Sequence, residues 1–161
     1  MNFSIRPGTH DDIADLVQLS LLAWVPVFQS FKQVLGSNIY PLIYPDWQKQ
    51  QGEVVAKICQ DNEKISLLVA EVNGAVAGFL AYSLDRKELT GEVELLAVHP
   101  DYQNQGIGTA LNQGALEAMK AIGMKLAVVA TGGDPGHAPA RRSYEKAGYT
   151  GLPLVRYYKD L

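Results

Sequence analysis

Cysteine is nearly absent: Cys59 stands alone among 161 residues. One cysteine cannot form an intramolecular disulfide, which fits a reducing, cytoplasmic setting. Its place in a helical pattern makes it a small packing residue rather than a nucleophile. There is also no surplus of positive charge. Lys and Arg number 14 against 17 Asp and Glu, for a formal net charge of −3. Without a basic footprint, neither nucleic acid nor an anionic membrane is an expected partner, and the weak bias is toward a cationic or neutral substrate. No long apolar run exists. The longest, over residues 17–28, is interrupted by Ser20 and Pro26 and is too short to span a bilayer. The opening Met1-Asn2-Phe3-Ser4-Ile5-Arg6 lacks the shape of a signal peptide. No His, Cys, Asp and Glu residues fall at metal-ligand spacing, so no metal is expected. No Ser or Cys occupies a nucleophile motif, which argues for direct group transfer without a covalent enzyme intermediate. Repeats, low-complexity tracts and linkers are missing as well.

What is present is an ordinary globular composition, 47% hydrophobic and 19% charged. The length suits one domain over residues 1–161. Phe3-Ser4-Ile5-Arg6 reads as a short strand. Thr9 reads as an N-cap followed by Asp11 and Asp12, and Ile13, Leu16, Val17, Leu21 and Trp24 then recur at helical spacing until Pro26 ends or bends the helix. Residues 24–47 carry Trp24, Phe28, Phe31, Tyr40, Tyr44 and Trp47 with three prolines. They read as a loop-rich segment, serving either as aromatic cover for the core or as one wall of a substrate pocket. Asp46 caps a second helix reaching about Gln60. Residues 65–72 and 75–83 read as strands joined by Asn73-Gly74, a hairpin signal. A strand over 92–98, a helix over 106–122, a strand over 126–130 buried on both faces, a helix over 137–147 closed by Gly148, and a last strand over 154–159 complete the series. This order predicts an α/β (α+β) fold, with a mixed, mostly antiparallel sheet of six to seven strands and helices on both faces.

The segment from Glu94 to Leu111 carries the chemistry. A strand enters a short loop, and the loop enters a helix through Gly106-Ile107-Gly108. Glycines let backbone N–H groups approach an anion, and the first-turn amides of a helix lack internal acceptors at the positive end of its dipole. A diphosphate suits such a place. A dinucleotide fingerprint is excluded because its third glycine position holds Leu111, and the Gly-Lys-Ser/Thr of a Walker loop is absent.

Val98-x-Pro100 followed by Gln103-x-x-Gly106-x-Gly108 resembles the acetyl-CoA signature of the GNAT superfamily of N-acetyltransferases. The order of elements matches that family nearly end to end, most tightly over residues 92–149. The resemblance implies that amides across Gln103, Asn104, Gln105, Gly106, Ile107, Gly108 and Thr109 bind the pyrophosphate. It also implies that main-chain groups of Leu96, Ala97 and Val98 pair with the pantetheine arm like an added strand. The strands over 92–98 and 126–130 are expected to splay, with the thioester in the opening.

Acetyl transfer needs a neutral amine, a donor for the oxyanion and a proton for the leaving thiolate. The run from His137 through Ala140, Tyr144, Lys146 and Gly148 to Tyr149 is similar to a family segment whose tyrosine is the general acid, so Tyr144 is the candidate acid toward the CoA sulfur. His137 stands where the family usually has Asn. Both side chains donate and accept hydrogen bonds, so a pantetheine contact is retained, and an imidazole also titrates near neutrality. Many members carry a glutamate at the position of Glu92, which makes Glu92 the candidate base ahead of Glu94. The two share a face unless a bulge intervenes. Arg141 and Arg142 are weaker candidates for the CoA 3′-phosphate. The expected function is transfer of an acetyl group from acetyl-CoA to a primary amine of a small molecule or peptide. The alternative is a catalytically idle acyl-CoA sensor. Because dimers are common in the family, a second copy of the chain is a candidate partner.

Overall fold

The computed structural model describes residues 2–161. Its sheet grows from the Asn73-Gly74 turn, where both residues adopt left-handed φ, 51° and 80°. That is the geometry that matches the twist of a two-residue hairpin. The turn joins β2 (Ile65–Val72) to β3 (Ala75–Asp85). β1 (Ser4–Pro7) adds to β2 and β4 (Thr90–Val98) adds to β3, all antiparallel, and β5 (Leu126–Val129) lies parallel to β4. The sheet order is β1-β2-β3-β4-β5.

The sheet is therefore mixed and mostly antiparallel, with five strands in place of the six to seven expected. The missing strand is 154–159, which has no strand pairing. Leu154 and Tyr157 are 82% and 89% exposed, and Pro153 just before them cannot donate to a ladder. Without that neighbour β5 is an edge strand. Ala127 and Val129 pack inward, while Leu126 is 57% exposed, so the strand is not buried on both faces as its apolar run suggested.

Helices cover both faces. α1 (Ile13–Ala23) and α3 (Trp47–Gln60) bury Ile13, Leu16, Leu19, Val55 and Cys59 against Val69, Phe79, Ala81, Leu95 and Ala97. Burial pushes the Cys59 thiol up to about 11, consistent with a packing role. On the other face α4 (Ile107–Ala121) lays Ile107, Leu111, Ala115 and Met119 on Leu80, Tyr82 and Val93. β1 is tied to the start of α1 by Arg6, whose guanidinium donates to both oxygens of Asp12, at 2.7 and 2.9 Å, and to Glu71 at 2.8 Å.

Residues 25–43 are helical, not loop-rich: α2 spans Val25–Ile43. Pro26 opens this helix instead of ending the previous one, because a first-turn residue needs no intrahelical N–H bond. Gly36, at φ 72°, breaks α2 into two pieces. Among the described residues no single helix is long and apolar enough to cross a membrane.

Candidate active site

β4 and β5 part company within the sheet. Their pairing runs from Thr90↔Leu126 to Val93↔Val129 and stops, while β4 continues to Val98. β5 leads instead through Thr131 and Gly132 into a single 3-10 turn, Pro135–His137, and then into α5 (Ala138–Lys146). The edge of β4 beyond Val93 is left open, so main-chain groups of Leu96, Ala97 and Val98 are available to an extended ligand there, although Gln103 Nε2 already donates to the Val98 carbonyl at 3.0 Å. A cavity of about 220 Å³ fills the opening. Its walls are β4 (Val93, Glu94, Leu95, Leu96), β5 and its extension, α2 (Val27, Phe28, Phe31) and α5 (Ala140, Tyr144), with His137 between them.

At the outer end of β4 the chain turns through His99 and the 3-10 turn Pro100–Tyr102 into α4. Asn104 (φ 60°) and Gly106 (φ 86°) both take left-handed backbone, which coils the loop and turns its amides one way. The first helical bond is Ala110 N–H to Gly106 O, at 3.0 Å. Before it, the N–H groups of Asn104, Gln105, Gly106, Ile107, Gly108 and Thr109 donate to no protein acceptor among the described residues. The side chains of Gln103 and Gln105 turn back onto the Val98 and Asp101 carbonyls, and His99 Nδ1 accepts from Asp101 N–H. A Cβ at Gly106 would meet nothing within 4 Å, so the loop is open on that side. A run of unpaired donors at a helix start fits a diphosphate.

Tyr144 reaches the cavity from the buried face of α5, with its ring edge-on to Tyr149 at 5.6 Å. Burial, with Tyr149 adding to it, pushes its phenol up to about 12. The group is a protonated donor throughout the physiological range.

Glu92 and Glu94 are separated by a bulge. The β3–β4 register runs Ala81↔Leu95 and then Tyr82↔Val93, leaving Glu94 as the extra residue. Glu94 thereby lines the cavity and accepts from Ser83 Oγ at 2.6 Å, while Glu92 lies outside the cavity wall. The sequence placed Glu92 first; the geometry brings Glu94 to the site.

His137 lines the cavity with its Nδ1 on Asp134 Oδ1 and its ring beside Phe31, centroids 5.5 Å apart. Asp134 also accepts from Gly136 N–H at 3.0 Å. Burial pushes its carboxyl up, but hydrogen bonds from Ser30 and His137 outweigh this and hold it below its ordinary value. The same Gly136 N–H lies 3.0 Å from Ser30 Oγ, and a Cβ on Gly136 would crowd Ser30, so only glycine lets the loop lie this close to α2. Arg141 is committed here, donating to the carbonyls of Gly132 and Asp134, and so is not free for a phosphate. Asp134 and Ser30 were not among the residues singled out from the sequence. The visible trace was Asp134 three residues before His137 in a glycine-rich loop.

The aromatic segment supplies the far wall. Phe28 stacks on Trp47 at 4.3 Å and Phe31 on Tyr44 at 5.5 Å. Phe28 separates the cavity from a second one of about 460 Å³, lined by Tyr40, Tyr44, Asp46 and Trp47. Among the described residues no group of His, Cys, Asp and Glu is arranged to hold a metal.

The model of the acetyltransferase (GNAT) family matches residues 33–149. An uncharacterized N-acetyltransferase of Archaeoglobus fulgidus is 32% identical over 118 residues, covering 70% of this chain and 71% of that protein. A second, from Methanocaldococcus jannaschii, is 26% identical over 160 residues, covering 96% of this chain, which spans 63% of that relative's length. The PaiA N-acetyltransferase of Thermoplasma acidophilum, solved in complex with coenzyme A, has the same fold: TM-score 0.72 at 18% identity, over 96% of this chain and 94% of that one. With the family model spanning most of the sequence and a relative 32% identical over 70% of it, the chain belongs to the GNAT acetyltransferase family.

Proposed function

We propose that the protein transfers an acetyl group from acetyl-CoA to a primary amine of a small molecule or peptide. The observation that carries this reading is the line of six unpaired amides from Asn104 to Thr109, set at the end of a strand whose free edge leads to the cavity. Diphosphate on the amides, pantetheine along Leu96–Ala97–Val98 and thioester between β4 and β5 is a continuous path. Tyr144 then stands where the sulfur leaves, and its protonated phenol stabilises the departing thiolate by hydrogen bonding. The acceptor enters from the aromatic side, where Phe28 and Phe31 offer flat apolar faces and Glu94 favours a cationic amine.

The experiment is a thiol-release measurement with acetyl-CoA and a mixture of spermidine, lysine ethyl ester and tyramine. Release of CoA that depends on the amine supports the reading. Binding of acetyl-CoA with no transfer to any amine would favour a sensor.

A further inference from the structure

We propose that His137 is the catalytic base that takes the proton of the attacking amine, and that Asp134 is its positioning residue. This rests on the acetyl-transfer reading above and assigns the proton path within it. Asp134 Oδ1 is 2.5 Å from His137 Nδ1, with the carboxylate side chain 9% exposed and the imidazole 20%. A carboxylate can only accept, so the proton of a neutral imidazole sits on Nδ1. Nε2 then carries the lone pair. It has no protein partner among the described residues, and the ring is part of the cavity wall.

The surroundings fix that ring more firmly than a simple connection requires. Phe31 packs against it from α2, Gly136 is held on Ser30, and Arg141 clamps the carbonyls of Gly132 and Asp134. The charged and titratable groups around it are Asp134 from its own loop, Glu94 from β4, Tyr144 and Arg141 from α5, and Tyr44 just past α2, stacked behind Phe31 with Arg156 and Tyr158 of the C-terminal segment beyond it. Glu92 is outside the cavity, and Glu94 is engaged by Ser83. A free carboxylate, at about 4.3, is also a weaker base near neutrality than an imidazole at about 6.5.

In the step itself the amine lone pair forms the N–C bond while the carbonyl π pair moves to oxygen. The N–H proton passes to His137 Nε2. The oxygen pair returns, the C–S bond breaks while the Tyr144 phenol hydrogen-bonds the leaving sulfur, and the imidazolium returns its proton to that sulfur through water. The net change is one proton moved from nitrogen to sulfur.

Two measurements test this. The first is kcat against pH with acetyl-CoA and the same amine mixture. Activity requires neutral His137, so kcat rises with pH through the imidazole titration. His137→Asn keeps the hydrogen-bonding capacity of the residue usual in the family but lowers kcat about 100-fold. Asp134→Asn removes the carboxylate that fixes the Nδ1–H tautomer, lowering kcat and changing the tautomer read by the NMR measurement below, with acetyl-CoA affinity unchanged; a purely structural aspartate would leave the tautomer in place. Wild-type kcat and profile in His137→Asn, or a loss confined to Glu94→Gln, overturns the proposal while leaving acetyl transfer standing. The second measurement needs no acceptor. Long-range ¹H–¹⁵N NMR of the folded protein is expected to show His137 as the Nδ1–H tautomer near neutral pH, and a proton on Nε2 would overturn the assignment. Failure of the unmodified protein to bind acetyl-CoA would remove the parent reading instead, a different result from either of these.

Discussion

At the scale of single residues, Tyr144 and Asp12 show how burial and pairing set what a group can do. A phenol pushed up to about 12 by burial keeps its proton wherever the protein is folded and active. If Tyr144 serves the leaving sulfur, its titration contributes no alkaline loss of activity below about pH 10. Tyr144→Phe is expected to lower kcat about 10- to 100-fold with acetyl-CoA affinity nearly unchanged, as read by steady-state kinetics beside calorimetry. Equal loss of both would make it a packing residue. Asp12 is the opposite case. Its hydrogen bonds to Arg6, ahead of those from Thr9, hold its carboxyl down at about 2. A carboxyl depressed in the folded state stabilises the fold above its unfolded value of about 3.9 and stops doing so as pH falls through the folded value. Asp12→Asn should therefore destabilise by about 1–3 kcal/mol at neutral pH and by progressively less between about pH 4 and 2. Urea titrations at several pH values measure the difference; a gap between the two proteins that does not narrow in acid would contradict the assignment.

At the scale of elements, sequence periodicity served best where local chemistry and packing agree. The Asn73-Gly74 hairpin, the α3 cap at Asp46, the apolar stripe of α4 and the helix stop at Gly148 all formed where expected, because each depends on residues a few positions apart. The loop around Gly106 was legible for the same reason. What failed depended on partners far along the chain. Pro26 looked like a terminator but opens α2, and the aromatic residues around it are helical because they pack on one another and on α3. The apolar 126–130 run promised a central strand, but a strand is central only if another pairs beyond it, and 154–159 does not. At the site, Glu92 ranked ahead of Glu94 in the sequence because the bulge that turns Glu94 to the cavity is not visible there, and the Asp134–His137 contact depends on the loop lying against Ser30. Gly106→Ala provides a test at this scale. No atom lies within 4 Å of the added carbon, so its cost is the left-handed backbone alone, about 1–2 kcal/mol by thermal unfolding. A neutral substitution would mean that the loop takes another course.

At the scale of the whole molecule, the sheet is a support with one deliberate break. Helices pack on both faces of the sheet, and the parting of β4 from β5 converts a packed sheet into a slot with unpaired amides at one end and Tyr144 and His137 at the other. A donor that spans this slot links loop, sheet and α5, so it should stabilise the entire fold. With acetyl-CoA at about 100 times its dissociation constant the gain is about 2.7 kcal/mol, which for a chain of this size raises Tm by roughly 5–10 °C. The most direct test of the central claim is calorimetric titration of acetyl-CoA into the protein and into Gly108→Glu. A Cβ at position 108 has ordinary room, 3.5 Å from Val98 Cγ2, so the fold should tolerate the change while a carboxylate enters the space facing the unpaired amides. Saturable heat with the unmodified protein and none with the variant is the predicted result; no heat with the former, or equal heat with both, would contradict it.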